Sequence, residues 1–327
     1  MAKPIKLPSG SWRIQVSTPS GRKSGTFATK TLANQWALHI QTEQQTIQAG
    51  GLPVRTVRQA VERYLTDVSA TKDGHAWEAL RLNAFLRDYS ALAAKRLEDV
   101  GKADASSWRD DRLRTVSPAT VRREINLIRH VWSVAIKDWA WARGNPWATI
   151  RLPPDSLPRQ RRISNAEIKR ILRRCGHVPC AVPVTGLQQV AYAFLVALRT
   201  AMRAGEVLQL TPESVDLGRS VARLAKTKTT RAGQTVTVPL TPAGARLLRY
   251  LPIWTLTPAS LDAQWRDTRD SLLIRDLHFH DSRAEALTRL ARKYDVMTLA
   301  RISRHSDLRT LMRVYYRESD SDIAARL

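Results

Sequence analysis

The stretch RLPPDSLPRQRR, residues 151–162, constrains the fold more than any other feature of the chain. Proline fixes φ and has no N–H to donate, so neither a helix nor an interior strand runs through Pro153, Pro154 and Pro158. A chain of 327 residues broken there has to build separate hydrophobic cores on the two sides. A second break, Gly50-Gly51-Leu52-Pro53, sets off residues 1–50. The expectation is an α+β, mainly α protein with domains at 1–50, 54–150 and 160–327.

Each segment has its own pattern. In the first, Trp12, Ile14 and Val16 alternate with polar neighbours and lead through Pro19-Ser20-Gly21 to Gly25-Thr26-Phe27, which predicts strands. Residues 31–48 predict a helix whose inner side carries Leu32, Trp36, Leu38 and Ile40. Residues 54–150 predict helices throughout. Val57, Ala60, Val61, Tyr64 and Leu65 form one stripe, and Leu80, Phe85 and Leu86 fall in a second helix. A short helix is expected over 105–115. Ser117-Pro118 opens a long helix that carries Val121, Ile125, Ile128, Trp132 and Ala135 and is closed by Gly144-Asn145-Pro146. Eight of the ten tryptophans lie at or before Trp147 and read as core and packing edges rather than platforms for bases.

The last segment opens with Ser164-Asn165-Ala166-Glu167, a capping-box spacing. Residues 187–198 are almost wholly apolar and predict a buried helix. Thr211-Pro212 and Thr241-Pro242 read as capped helix starts. Between them, residues 221–224 and 235–238 alternate like strands around the polar stretch 226–234, a β-hairpin. After Trp254 the pattern is helical to the end.

Charge narrows the partner. Lys and Arg number 53 against 29 Asp and Glu, a net charge of +24, and residues 158–327 carry more than half of that excess. Such an imbalance favours a polyanion, above all nucleic acid. By itself it fits a ribosomal or chromatin-type binder equally well. No apolar run approaches the roughly 18 residues of a membrane span, and MAKPIKLPSG has no apolar core of a signal peptide. Two cysteines make no disulfide framework, so a cytoplasmic, nucleoid-associated protein is expected. Cys175, His177 and Cys180 are too few for a zinc site, and no glycine-rich phosphate loop is present, so neither metal nor cofactor is expected.

Three fragments of the last segment carry chemistry together. They are Thr200-Ala201-Met202-Arg203-Ala204-Gly205-Glu206, then His280-Asp281-Ser282-Arg283, then His305 followed by Tyr315-Tyr316. Each spacing alone is common. Their order, with a hairpin between the first two, resembles the catalytic domain of the tyrosine recombinase, or phage integrase, family. That family has an arginine in a Thr-Gly-x-Arg-x-x-Glu box, a lysine on a β-hairpin, a His-x-x-Arg box, a Gly-His and then a tyrosine. The likeness covers 160–327 specifically. More loosely, 54–150 resembles the family's helical core-binding (SAM-like) domain, and 1–48 resembles its small arm-binding domain.

The resemblance implies a site-specific DNA recombinase that cleaves and rejoins strands through a 3′-phosphotyrosine, integrating or excising a phage or genomic-island element. Breaking a phosphodiester this way needs a nucleophile, neutralisation of the non-bridging oxygens and a proton for the leaving oxygen. Arg203 and Arg283 would clamp the phosphate as permanently charged planar donors. His280, at helical spacing from Arg283, would supply a hydrogen bond or help move the tyrosine proton, and His305 would be a further phosphate ligand. Glu206 is the buttress of an arginine. The general acid is a hairpin lysine, Lys228 or Lys226, with Thr227-Lys228 the better fit to the family. The nucleophile is Tyr315 or Tyr316. The family spacing from His305 falls on Val314, one residue short of Tyr315, and the Tyr-Tyr-Arg ending favours Tyr315.

Two departures stand out: Ala201 replaces the first box's glycine, and Ser303-Arg304 replaces the Leu-Gly before the second histidine. The implied partners are double-stranded DNA with core and arm sites, a homotetramer on that DNA, a small excision or directionality factor and a host DNA-bending protein. Residues 319–327 would form a tail that docks on a neighbouring protomer or packs in cis. Two other readings share the residues: an integrase-fold DNA-binding protein without strand transfer, and a type IB topoisomerase-like enzyme.

Overall fold

The computed structural model describes residues 3–18, 21–48, 50–157, 159–225, 235–305 and 307–316. The chain forms two compact units, residues 1–157 and 158–327. The division falls inside the proline-rich stretch, whose two ends are each fastened to a unit: Arg122 donates to the carbonyl of Pro153 at 2.9 Å in the first. Arg159 donates Nε and Nη2 to the two oxygens of Asp281 at 3.0 Å each, and Arg162 donates to Glu285 at 2.7 and 3.1 Å. Residues 159–162 are thereby fastened to the second unit. Proline content marks where regular structure stops, not where packing begins.

The first unit holds two cores. Strands β1 (Ile5–Lys6), β2 (Trp12–Thr18) and β3 (Gly21–Phe27) form an antiparallel sheet, and α1 (Lys30–Gln48) packs on it. Ile14, Val16, Ala33, Ala37 and Ile40 make this core. Leu32 and Leu38, expected to face inward, are exposed; the small residues Ala33 and Ala37 turn to the sheet instead, because close helix–sheet approach favours alanine there. The second core belongs to α2 (Val57–Asp67), α3 (His75–Asp88), α4 (Ser90–Ala94), α5 (Lys102–Leu113), α6 (Pro118–Lys137) and α7 (Pro146–Thr149). The Val57, Ala60, Val61, Tyr64 stripe is buried, whereas Leu80 is exposed. Ser117 caps α6 with its hydroxyl as expected, but the helix stops at Lys137, well before Gly144. Ala140 takes a left-handed backbone at φ 53°, and α7 starts anew at Pro146 under an Asn145 cap. Trp108 and Trp132 are buried in ring contact with the buried Trp147, a core role.

The second unit is built around α9 (Gly186–Thr200). Its apolar sequence leaves no polar face, so it must be surrounded. It is, by α8 (Asn165–Arg174), α11 (Pro242–Leu248), α12 (Pro258–Ser271) and α13 (Asp281–Ala291). Ser164 and Glu167 form the expected capping box on α8. After α9 come the short helix α10 (Ala204–Val207) and an antiparallel sheet of β4 (Val215–Asp216), β5 (Val221–Leu224) and β6 (Val236–Pro239), with Val221 paired to Pro239 and Leu224 to Val236. Thr241 caps α11, whereas Thr211-Pro212 opens only a single 3₁₀ turn. A smaller core joins Ala201 and α13 to α14 (Val296–Ser303) and α15 (Leu308–Tyr315) through Leu287, Leu299, Ile302 and Leu311. That satellite core sets α15 beside the end of α9.

Candidate active site

Arg283 is the hub of the site. It sits on α13 with its side chain 3% exposed, and its guanidinium joins two helix ends. One Nη donates to the carbonyl of Ala201, just past α9; the other donates to the carbonyl of Ser303, the last residue of α14, at 2.7 Å. Helix C-termini present carbonyls without intrahelical partners and carry partial negative charge, so a buried cation is favourable there. Each helix is stopped by a residue in the left-handed region, Ala201 at φ 55° and Arg304 at φ 58°. A left-handed non-glycine residue costs roughly 1–2 kcal/mol. Both departures noted in the sequence therefore fall at positions where the backbone favours glycine.

The turn after Ala201 delivers Arg203 as the N-cap of α10. Glu206, 3% exposed, accepts from the Arg203 backbone N–H at 2.8 Å and from its guanidinium at 2.9 Å. It also accepts from Arg304 and lies 3.9 Å from Arg283 Nη1. Burial pushes the Glu206 carboxyl up, but the Arg203 donors and the Arg304 charge outweigh it and hold the group below its ordinary range, as a carboxylate. Burial lowers Arg283 to about 10, with the Arg203 charge adding to the effect.

The two histidines lie in the same field. Burial and then the Arg283 charge hold the His280 imidazole below its ordinary value, with Arg203 contributing. For His305 the same causes in the same order, with Arg304 and His280 added, reach about 4. Its Nδ1 is 2.7 Å from Ser303 Oγ, which fixes the ring and leaves the Nε2 edge for another partner. Both imidazoles are therefore neutral near pH 7.

Tyr315 ends α15 and packs against the satellite core. Burial raises its phenol and Arg283 pulls it back part of the way, so the ring is held un-ionised within reach of the arginine's charge. Tyr316 points elsewhere, donating its hydroxyl to the Tyr294 carbonyl at 2.5 Å. Four separate stretches of sequence thus bring Arg203, Glu206, His280, Arg283, His305 and Tyr315 together. Lys226 and Lys228, with the rest of 226–234, and the tail 319–327 lie outside the described residues. Sequence reasoning missed the side chain of Arg304 and both groups of Ser303. The substituted glycine position was visible, but nothing in the sequence said where a side chain added there would go. Cys175 is buried beside Thr268 and Cys180 is exposed, and among the described residues no group of His, Cys, Asp and Glu could hold a metal ion. Among those residues, too, no helix is long and apolar enough to cross a membrane.

A phenol, two arginines and two neutral imidazoles make a set of groups suited to phosphoryl transfer. Residues 161–322 match the phage integrase family. The chain is similar to an integrase/recombinase-type protein of Haemophilus influenzae, 35% identical over 290 residues that cover 86% of this chain and 93% of that one. It is 32% identical to the shufflon-specific DNA recombinase of Escherichia coli over 274 residues, 79% of this chain and 68% of that one. The fold is shared with a lambda integrase dimer bound to a COC′ core site, at TM-score 0.63 and 14% identity over 97% and 96% of the two chains. It is also shared with the Tn1549 transposon integrase in complex with circular intermediate DNA, at TM-score 0.63 and 16% identity over 83% and 98%. The chain belongs to the phage integrase family and is a tyrosine-type site-specific recombinase.

Proposed function

We propose that Tyr315 is the nucleophile and that Arg203, Arg283 and His305 bind the scissile phosphate. The convergence of these side chains with His280 carries the reading. The phenolic oxygen forms a bond to phosphorus, the bond from phosphorus to the 5′-oxygen breaks, and the enzyme is left on a 3′-phosphate. His280 helps the tyrosine proton leave. A hairpin lysine, Lys228 in preference to Lys226, protonates the departing 5′-oxygen. A 5′-hydroxyl from the exchanged strand then attacks the phosphotyrosine, restoring the diester and the phenol. The arginines are already charged and already placed, so little reorganisation accompanies the transition state.

Residues 1–50, 54–150 and 160–327 would act as arm-binding, core-binding and catalytic domains; separate hydrophobic clusters in the first two ranges support this division. Double-stranded DNA with core and arm sites is the substrate, and two related structures, a lambda integrase dimer on a core site and a tetramer on a Holliday junction, support a homotetramer as the working form. A directionality factor and a host DNA-bending protein complete the assembly. The reaction integrates or excises a mobile element.

The test is a duplex bearing the recombination site, nicked beside the cleavage point so that the released strand diffuses away. The wild-type enzyme and Tyr316→Phe accumulate as covalent complexes. Tyr315→Phe does not. Trapping by Tyr315→Phe would remove the assignment.

A further inference from the structure

Among the described residues, Arg304 is a third guanidinium on Glu206, and its backbone and side chain are both held at a cost. Its φ of 58° is a conformation that favours glycine. Its side chain is 9% exposed, and Nε and Nη1 are buried without a hydrogen-bond partner among the described residues. Buried donors are almost always satisfied, so this pair is an exception that calls for a reason. The one contact that offsets it is Nη2 on Glu206 Oε2. That oxygen also receives the Arg203 backbone N–H, while Oε1 receives the Arg203 guanidinium. Arg283 Nη1 lies 3.9 Å from Oε2, an ion pair beyond hydrogen-bond reach.

We infer that Arg304 is a positioning residue: it occupies Oε2 of Glu206, so that the carboxylate orients Arg203 through Oε1 and does not close onto Arg283. Without Arg304, the freed lone pairs face Arg283. The carboxylate then turns toward it, draws it from the carbonyls of Ala201 and Ser303, and slackens its hold on Arg203. Both phosphate ligands move. The displacement needed is small, and catalysis by preplaced groups is sensitive to small displacements. Strain kept at such a position, where glycine would relieve it, is a mark of function rather than of stability.

This inference rests on the proposed role of Arg203 in binding the scissile phosphate. Arg304→Gly tests it because the substitution relieves the backbone while removing the guanidinium. Single-turnover trapping on the nicked duplex is measured at saturating enzyme, alongside site affinity and the thermal midpoint. The expected result is a trapping rate lower by about tenfold or more, with affinity within about twofold and a midpoint equal to or above wild type. Arg304→Lys, which keeps a cation for Glu206, recovers part of the rate. The His305 imidazole, faced by Arg203, Arg283, Arg304, His280 and Ser303, titrates closer to its ordinary value in Arg304→Gly by NMR, a change that mere loosening of the fold would not single out. A wild-type trapping rate in Arg304→Gly, or a loss matched by equal losses of affinity and midpoint, would overturn the inference. Arg203→Ala is run beside it. If Arg203→Ala traps normally, the phosphate-binding reading fails; if it is dead while Arg304→Gly is normal, only the role of Arg304 fails.

Discussion

Arg283 donates to the carbonyl of Ser303 at 2.7 Å, so the arginine on α13 is tied to the end of α14, two residues before His305. The same guanidinium reaches the carbonyl of Ala201, two residues before Arg203. One side chain therefore fixes the starting points of the two segments that carry its partners, and this sets its sensitivity to substitution. Lysine keeps the charge but has a single nitrogen, which cannot reproduce the planar fork across two helix ends. Arg283→Lys should lower covalent trapping by about a hundredfold or more. It should also lower folding stability by about 1–3 kcal/mol, because a buried carbonyl is left unpaired. Trapping kinetics and urea unfolding of the same preparation check both. A variant that loses activity at full stability would mean the carbonyl contacts are incidental.

The depressed histidine gives a pH signature. In the unfolded chain an imidazole titrates near 6.5, and in the native state His305 falls to about 4. The unfolded state therefore takes up a proton that the folded state refuses between these values. Stability is fully present above pH 6.5 and declines as pH falls toward 4. Glu285 titrates lower, at about 2, so its contribution is lost beneath this window, as pH falls from 4.5 toward 2. The thermal midpoint, followed from pH 8 to pH 4, should drop less steeply in His305→Asn than in wild type. Parallel curves would show that His305 is not held neutral.

How much of this was legible in the sequence depended on the range of the interaction. Ser164 with Glu167 and Ser117-Pro118 are local devices, and the structure has both where the spacing placed them. The apolar run of α9 could only be buried, and is. Leu32 and Leu38 misled because a stripe of large residues reads as a core face, whereas the sheet accepts Ala33 and Ala37. The site residues were visible through resemblance and order. Arg159 with Asp281, and Arg162 with Glu285, were not, because pairs of opposite charge far apart in a chain rich in both leave no periodic trace. Arg304 was hidden for the same reason: its partner is in another box.

Charge predicts how DNA binding responds to salt. A chain of net charge +24 that tracks phosphates releases counterions when it binds. The logarithm of the association constant should fall by about 0.9 per phosphate contact for each decade of salt. Titrations between low and physiological salt should give a steep straight line with site and non-site DNA alike. A flat response would contradict binding along the backbone.

Mass spectrometry of the trapped complex after trypsin and nuclease digestion reads directly whether the Tyr315 phenol becomes bonded to a 3′-phosphate. The peptide Val314-Tyr315-Tyr316-Arg317 should carry the nucleotide. Fragmentation should place the adduct on Tyr315 through the 3′-phosphate, with a free 5′-hydroxyl on the other side of the break. An adduct on Tyr316, on another peptide, or through a 5′-phosphate would rule out Tyr315 as the nucleophile of this cleavage.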